Sequence, residues 1–168
     1  EFVKQTQGLS FIETLRYLAK KYAVEAPELE ESRSRLQQNR NSQSQYAAMA
    51  EAQNFFTQQL YNPDNKASQA SLEYLKKRGF SEENIKDFGF GLTPNDPFGL
   101  VRHLRSRHFS SEVMMECSLA TSSSRDQKLY DFFRQRIMIP VRDSQGRIIA
   151  FGGRTIENHP AKYMNSGA

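Results

Sequence analysis

The strongest constraint on the fold is a pair of β-rich runs separated by a turn. Residues 137–141 (Ile-Met-Ile-Pro-Val) and 148–151 (Ile-Ile-Ala-Phe) favour strands, because β-branched and large apolar residues pack well on a pleated surface. Between them stands Asp143-Ser144-Gln145-Gly146, a composition typical of turns. The pattern predicts a β-hairpin. Pro140 cannot donate to a sheet ladder, so we expect it at an edge or a bulge.

The chain before this hairpin has helical periodicity. Apolar spacing predicts helices over 46–60, 66–78, 100–107 and 111–117, with a further short helix capped by Ser81. Gly79 is expected in a left-handed conformation that ends its helix, with Phe80 packing on Leu75. Residues 121–128 are predicted as a polar loop. The fold class is therefore α+β: a helical N-terminal half followed by a small, mainly antiparallel sheet with a basic β-hairpin.

The first 45 residues divide into two parts. Ser10 and Glu13 form a capping box that predicts a short amphipathic helix within residues 1–26. Residues 27–45 are charged and rich in Gln, Asn and Ser, which is typical of a polar linker or of a solvated entry to the next helix. We expect a domain boundary after residue 45, so that residues 46–168 form one domain.

Basic residues are concentrated in the C-terminal part of the chain. Residues 99–168 hold 11 Lys/Arg and 6 Asp/Glu, a net charge of +5, whereas residues 1–98 hold 12 and 13, a net charge of −1. This asymmetry favours an anionic partner, although an ordinary solvated basic surface remains the alternative. The single cysteine suits a reducing cytoplasm, and no apolar run is long enough to predict a membrane span.

The densest chemistry lies between Tyr130 and Ser166. Gly152-Gly153 ends the second β-run with little side-chain bulk, so a phosphate could approach the backbone while Arg154 projects towards it. The alternative is a solvated basic face with a Gly-Gly bulge, and the residues alone leave both readings open. Six basic residues here interleave with aromatic ones: Arg134, Arg136, Arg142, Arg147, Arg154 and Lys162. The spacing of the cysteine and of the three histidines, His103, His108 and His159, predicts no metal site.

These motifs resemble the bacterial DnaG-type DNA primases. Residues 130–154, YDFFRQRIMIPVRDSQGRIIAFGGR, are followed by PAKYMNS over 160–166, similar to the family's basic hairpin, Gly-Gly-Arg and Lys-Tyr-x-Asn-Ser. Upstream, YLKKRG (74–79) and FGFGL (88–92) resemble the same family in order and distance. GLSFIE (8–13) resembles the tail of the zinc-ribbon domain that precedes the catalytic core. The resemblance covers nearly the whole chain.

The resemblance implies that the parent enzyme is a DNA-directed RNA polymerase that makes short RNA primers on single-stranded DNA for replication. It would use ribonucleoside triphosphates with magnesium or manganese, and a structural zinc. Residues 1–26 would end the zinc-ribbon domain, and residues 46–168 would form the N-terminal subdomain of the catalytic core. The zinc ligands would precede Glu1 and the Toprim carboxylates would follow Ala168, so the fragment would hold no catalytic residue and no metal and would be inactive alone.

The resemblance also assigns candidate site residues. Arg78, Arg154, Lys162 and Asn165 match family positions associated with template binding or activity, and Arg134 matches a further basic position. Phe132 departs from the pattern, because many relatives have a basic residue there. The implied partners are single-stranded template, RNA–DNA product and triphosphates, with a helicase bound through regions outside the fragment, and we expect a cytoplasmic monomer. The alternatives are a primase-derived nucleic-acid-binding module without catalysis and a helicase-docking module.

Overall fold

The computed structural model describes residues 27–157 and 160–166. By contact density the chain divides into residues 1–42 and 43–168, and the fold below is that of the second unit. The short helix expected within residues 1–26 lies outside the described residues. No helix among the described residues is both long and apolar enough to span a membrane.

Helix α1 (Pro27–Leu60) is much longer than the apolar pattern predicted. Residues 27–45, expected as a polar linker or as an entry to the next helix, are helical, and residues 37–43 are exposed, which agrees with the second alternative. The predicted start at Tyr46 was wrong because apolar periodicity marks only the part of a helix that is buried. Burial does begin near that point, at Ala48 and Met49. The domain boundary after residue 45 remains a prediction.

Helix α2 (Lys66–Lys77) ends as its sequence predicts. Gly79 has a φ of +91°, its amide donates to the Lys76 carbonyl at 2.9 Å, and the Phe80 amide donates to the Leu75 carbonyl at 3.2 Å. Phe80 also packs against the apolar cluster that contains Leu75. The left-handed glycine and the hydrophobic contact together confirm the predicted Schellman motif.

Helix α3 (Glu82–Phe88) follows directly and begins at the predicted cap. The Asn84 amide donates to Ser81 Oγ at 3.1 Å, and Gly89, with a φ of +71°, ends the helix. The chain then enters strand β1 (Gly91–Leu92). Helices α2 and α3 pack on the sheet through one apolar cluster: Leu60, Leu75, Ile85, Phe90, Leu92 and Ile137.

The main sheet has four antiparallel strands in the order β1-β4-β5-β6. Strands β4 (Ile137–Arg142) and β5 (Ile148–Arg154) form the predicted hairpin, and β6 (Tyr163–Asn165) adds a strand that the sequence pattern did not reveal. Because β1 pairs only with Ile137 and Met138, β4 has no strand on that side at Pro140, and a bulge follows at Val141/Arg142. The expected edge position of Pro140 is therefore confirmed.

Two short helices and a second sheet complete the unit. Helices α4 (Gly99–Ser106) and α5 (Ser111–Glu116) lie where the pattern predicted them. Strands β2 (Ala120–Ser122) and β3 (Leu129–Asp131) pair antiparallel. The predicted polar loop over 121–128 is therefore shorter than expected, because two of its residues extend β2. Strand β2 was missed since two of its three residues are exposed and polar, which leaves no apolar alternation to detect.

The larger core cluster lies between α1, α4, α5 and one face of the main sheet, which we call the inner face. Phe56 of α1 and Phe151 of β5 meet edge to face, with ring centroids 5.2 Å apart. Gly91 allows this packing, because a Cβ there would lie 2.4 Å from Phe56 Cβ. Helices beside a mainly antiparallel sheet confirm the predicted α+β class.

Candidate functional site

Arg154 lies on the sheet face opposite the larger core cluster, which we call the outer face, and the smaller apolar cluster of α2 and α3 covers part of this face at Ile137. Its cross-strand partners are Ile137 on β4 and Tyr163 on β6, and directly paired residues point to the same side of a sheet. Its guanidinium carbon lies 5.0 Å from the ring centroid of Tyr163 and 5.3 Å from that of Tyr74. Its Nε is buried and has no hydrogen-bond partner among the described residues. Arg154 is therefore held by aromatic rings rather than by a carboxylate.

Helix α2 brings a second arginine to the same tyrosine. Arg78 Nε donates to the Tyr74 hydroxyl at 3.2 Å, and the Arg78 guanidinium carbon lies 5.4 Å from the Tyr74 ring centroid. Arg78 is the exposed residue at the C-terminal end of α2, four residues after Tyr74, so the two side chains share one side of the helix. Tyr74 thus gathers two guanidinium groups at one place.

No acid neutralises this pair within the described residues. Lys76, on the same helix, forms an ion pair with Glu82 at 2.6 Å, whereas neither Arg78 nor Arg154 forms an ion pair with any residue in 27–157 or 160–166. An anion near this ring would be attracted by both positive groups. Forked guanidinium donors suit a phosphate in particular.

Next to Arg154, the outer face has little side-chain bulk, because residue 152 is a glycine. Gly152 pairs with Ile139 and with Asn165, so Asn165 lies on the outer face together with Arg154. A Cβ at Gly152 would lie 3.5 Å from Asn165 Oδ1, which is an ordinary contact distance. Asn165 is exposed and offers an amide that can both donate and accept hydrogen bonds. An extended ligand can therefore cross Gly152 between the arginines and this amide.

The other predicted residues lie elsewhere. Arg134 is exposed in the loop before β4 and lines an open groove of about 340 Å³ together with Met164. Met164 pairs with Gly153, which faces the core, so this groove opens on the inner-face side. Lys162 is exposed immediately before β6, and its carbonyl accepts from the Thr155 amide at 3.1 Å. The structure gathers Arg78, Arg154 and Asn165 on one face, and places Arg134 apart from them.

Three further basic residues of the dense segment have structural partners. Arg136 is buried and donates to the carbonyls of Ala161 at 2.7 Å and Lys162 at 3.3 Å, and burial lowers the pKa of its guanidinium. Arg147 lies 4.3 Å from the Tyr46 ring centroid and pairs with Asp143 at 2.7 Å. Arg142 donates to the Gly146 carbonyl at 3.0 Å. These arginines stabilise the hairpin and the loop that leads to β6.

Phe132, where the resemblance implied a basic residue in relatives, packs as an apolar residue. Its ring meets Phe133 edge to face at 4.9 Å, and it is half-buried beside the larger core cluster. It also lines the Arg134 groove. The groove therefore has an apolar wall at Phe132.

Sequence reasoning did not select the two tyrosines of the outer face. Tyr74 and Tyr163 both lie inside the motifs that carried the resemblance, YLKKRG and KYMNS, but neither was chosen as a site residue. A usable signal for Tyr74 was its spacing of four residues from Arg78, because such pairs share one side of a helix and support cation–π contacts. No comparable local signal marks Tyr163, whose cationic partner Arg154 lies nine residues earlier.

The fold and this surface define a class: an α+β domain that presents cations, aromatic rings and an amide on one sheet face. The chain belongs to the family described as the DNA primase catalytic core, N-terminal domain, whose profile matches residues 55–168. The predicted family is thereby confirmed.

Known relatives agree with this assignment over almost the whole chain. DNA primase of Pseudomonas putida is 34% identical over 165 residues, which is 98% of this chain and 25% of that protein. DNA primase of Escherichia coli is 30% identical over 167 residues, 99% of this chain and 28% of that protein. The chain thus spans about a quarter of the length of the curated relatives it matches.

Solved structures show the same fold. A DnaG primase catalytic domain bound to single-stranded DNA superimposes with a TM-score of 0.70 at 30% identity, over 77% of this chain and 41% of that chain. The zinc-binding and RNA polymerase domains of Aquifex aeolicus primase match with a TM-score of 0.65 at 26% identity, over 99% of this chain and 38% of that chain.

Proposed function

We propose that this chain is part of a DNA primase that synthesises short RNA primers on single-stranded DNA, and that it supplies surface for the template. The observation that carries the proposal is the pair Arg78 and Arg154, gathered on Tyr74 with no carboxylate partner among the described residues. Asn165 beside Gly152 extends the same face. A strand that follows these groups would be held by its phosphates.

Lys162 and Arg134 support the strand or its product from other positions. Lys162 precedes β6 directly, so it stands at the sheet edge next to Tyr163. Arg134 lies in the groove near Met164 on the other side of β6. We assign Arg134 to a second anionic segment, such as the RNA–DNA product or a triphosphate, because its groove opens away from Arg154.

The chemistry of primer synthesis is assigned to residues outside this chain. Phosphoryl transfer by paired magnesium or manganese ions needs clustered carboxylates that stabilise the attacking and leaving oxygens. Within residues 27–157 and 160–166, no group of three His, Cys, Asp or Glu side chains could hold a metal ion. We propose that the carboxylates and the zinc ligands belong to other parts of the parent polypeptide.

The test measures template affinity and primer synthesis with the full-length polypeptide that carries this sequence. Arg154→Ala and Lys162→Ala should each weaken binding to single-stranded DNA, and each lost phosphate contact should reduce the salt slope of log K by about 0.7. Fluorescence anisotropy across a salt series and primer yield on a single-stranded template are the readouts. Thermal unfolding verifies that each variant remains folded.

Arg105→Ala is the matched control. Arg105 is exposed on α4, so its substitution removes the same charge from another surface. It should leave affinity and primer yield unchanged. Full activity and unchanged affinity in Arg154→Ala would refute the assignment of the outer face to the template, and the same result in Lys162→Ala would refute the role proposed for Lys162.

A further inference from the structure

A groove on the inner-face side of the sheet is not part of the proposed template site. It has a volume of about 340 Å³ and lies between α1, the C-terminal end of α5 and the β4–β5 hairpin. Two of its lining residues, Met49 and Ile148, belong to the larger core cluster, whereas Arg154 lies on the other face of the sheet. A ligand bound in this groove would therefore leave the outer face free.

The interior of the groove is mainly apolar. Met49 and Ile148 are its buried lining residues, and Tyr46 and Cys117 are partly buried beside them. Burial raises the pKa of the Cys117 thiol to about 11, so this side chain is neutral and lines the groove as a small apolar group. Ligand sites are mostly apolar and have volumes of roughly 300–1,000 Å³, so the groove is large enough to receive side chains of a partner.

A β-bulge places an additional isoleucine at this groove. The pairing of β5 with β4 passes from Ala150 directly to Ile148, so Ile149 has no partner on β4. As a result the consecutive residues Ile148 and Ile149 both line the groove, although neighbours on a regular strand point to opposite faces. Ile148 is buried, whereas Ile149 is 47% exposed. The bulge therefore directs an exposed apolar side chain to the groove.

Helix α5 adds apolar and acidic groups at the groove. Glu112, Met115 and Glu116 lie three and four positions apart, so they share one side of the helix. Glu116 lines the groove and accepts from Gln45 Nε2 at 2.9 Å, and Met115 is 40% exposed next to it. Neither carboxylate forms an ion pair with any residue in 27–157 or 160–166. The groove therefore has an acidic margin along α5.

The cation beside the groove is already neutralised. Arg147 lies 4.3 Å from the ring centroid of Tyr46 and forms an ion pair with Asp143 at 2.7 Å. None of the residues that line the groove is basic. The local charge is thus negative, in a chain whose formal net charge is +4. Such a margin attracts a basic partner and repels phosphates.

We propose that the groove binds a short amphipathic segment of a partner protein, whose apolar side chains enter the groove and whose lysine or arginine residues face Glu112 and Glu116. The apolar lining and the exposed Ile149 suit the anchors, and the two carboxylates without ion pairs suit the basic flanks. A nucleic-acid strand does not fit, because the same carboxylates repel its phosphates. The partner and the template would occupy opposite faces of the sheet, so both can bind at once.

The experiment selects ligands from a phage-displayed library of random peptides on the full-length polypeptide that carries this sequence. Clones that also bind the Ile149→Gln variant are removed, so that the remaining peptides depend on the groove. These peptides should combine apolar residues with lysine and arginine and carry a net positive charge. Acidic peptides, or a selection that leaves no peptide dependent on Ile149, would overturn the proposal.

Fluorescence anisotropy then measures the affinity of the most enriched peptide. Ile149→Gln should weaken binding roughly tenfold, as expected when the contact with one apolar side chain is lost. Val141→Gln is the matched control and should bind as wild type does. Val141 is also a β-branched residue of the hairpin and is also 47% exposed, but it lies on the outer face with Ile139.

Two charge variants test the acidic margin. Glu112→Gln and Glu116→Gln should each weaken peptide binding and reduce its dependence on salt, because each removes one attractive charge. Unchanged affinity in both variants would overturn the assignment of a basic partner.

The remaining outcomes concern other occupants of the groove. Ile149→Gln should unfold at the same temperature as wild type, and a lower midpoint would mean that the polypeptide itself covers Ile149, which overturns the proposal. Self-association of wild type that is lost in Ile149→Gln would assign the groove to a second copy and overturn it equally. The peptide should leave the affinity for oligo(dT) unchanged, and competition between the two would contradict binding on opposite faces.

Discussion

At the residue scale, burial separates arginines that look equivalent in the sequence. Arg136 and Arg154 lie in one basic segment, yet Arg136 is 5% exposed and donates to two main-chain carbonyls, whereas Arg154 contacts two tyrosine rings and leaves its Nε unpaired. A buried guanidinium with satisfied donors has a structural role, because leaving them unpaired would cost about 1–3 kcal/mol. Arg154 is only half-buried and its guanidinium has no hydrogen-bond or ion-pair partner among the described residues, so the part of it that is not buried is available to a ligand.

Asp131 is a second residue whose role depends on burial. Its carboxylate accepts from the amides of Leu100 and Val101, each at 2.8 Å, at the start of α4. The N-cap residue of that helix, Phe98, provides no side-chain cap, so Asp131 supplies the cap from a distant strand. Anionic groups are favourable at helix N-termini, but the site is nearly closed to solvent.

Asp131 should therefore give a measurable pH dependence of stability. Burial raises its pKa above the ordinary value of 3.8, and the two amide hydrogen bonds offset this only in part. The folded state then holds the proton more tightly than the unfolded state, so the group's contribution is greatest below the ordinary pKa and is lost as pH rises through the folded pKa.

Asp131→Asn removes the titration while keeping the shape of the side chain. The free energy of unfolding of wild type, relative to this variant, should fall as pH rises from about 4 to neutrality. Urea unfolding at several pH values measures the difference. A difference that stays constant, or that grows in favour of wild type, would contradict a raised pKa.

At the element scale, the packing of α1 on the sheet depends on one glycine. A Cβ at Gly91 would lie 2.4 Å from Phe56 Cβ and 2.9 Å from the Phe56 carbonyl carbon, and the latter belongs to the helix backbone. A backbone cannot yield as a flexible side chain does. The helix and β1 can approach so closely only because residue 91 has no side chain.

Gly91→Ala should accordingly lower the free energy of unfolding by about 1–3 kcal/mol, the usual range for overpacking. Gly152→Ala is the matched control, because its Cβ would meet Asn165 Oδ1 at an ordinary 3.5 Å. Urea unfolding measures the free energy of unfolding of both variants. Equal values would contradict overpacking of α1 against β1 at residue 91.

At the scale of the whole unit, Arg136 links segments that are far apart in sequence. Its amide donates to Thr93 Oγ1 at 2.8 Å and its carbonyl accepts from the Thr93 amide at 2.9 Å, which ties β4 to the chain after β1. Its guanidinium holds residues 161 and 162 just before β6. The position of Lys162 and the start of β6 therefore depend on this buried side chain.

Arg136→Lys should destabilise the unit by about 1–3 kcal/mol, because a lysine keeps the charge but loses the forked donors that reach two carbonyls at once. Arg134→Lys, two residues earlier and exposed, should stay within about 0.5 kcal/mol of wild type. Thermal or urea unfolding compares the two. Equal losses of stability in the two variants would mean that the guanidinium of Arg136 contributes no stability beyond its positive charge.

The sequence by itself determined the features that depend on local chemistry. The Schellman end at Gly79, the cap at Ser81 and the hairpin around Asp143–Gly146 follow from backbone preferences and turn residues, which act within a few positions. The family resemblance, carried by contiguous motifs, was confirmed by the family profile.

Only the tertiary structure decided the features that depend on distant partners. Residues 37–43 of α1, which are exposed, and the short strands β2 and β6 lack an apolar pattern, because exposed or edge residues leave none to detect. The meeting of Tyr74 with Arg154 joins a helix to a strand 80 positions later in the sequence. The burial of an arginine and the pairing of its donors depend on the packing of the whole unit. Residue type and position in the basic segment do not distinguish a buried arginine from one that is open to a ligand.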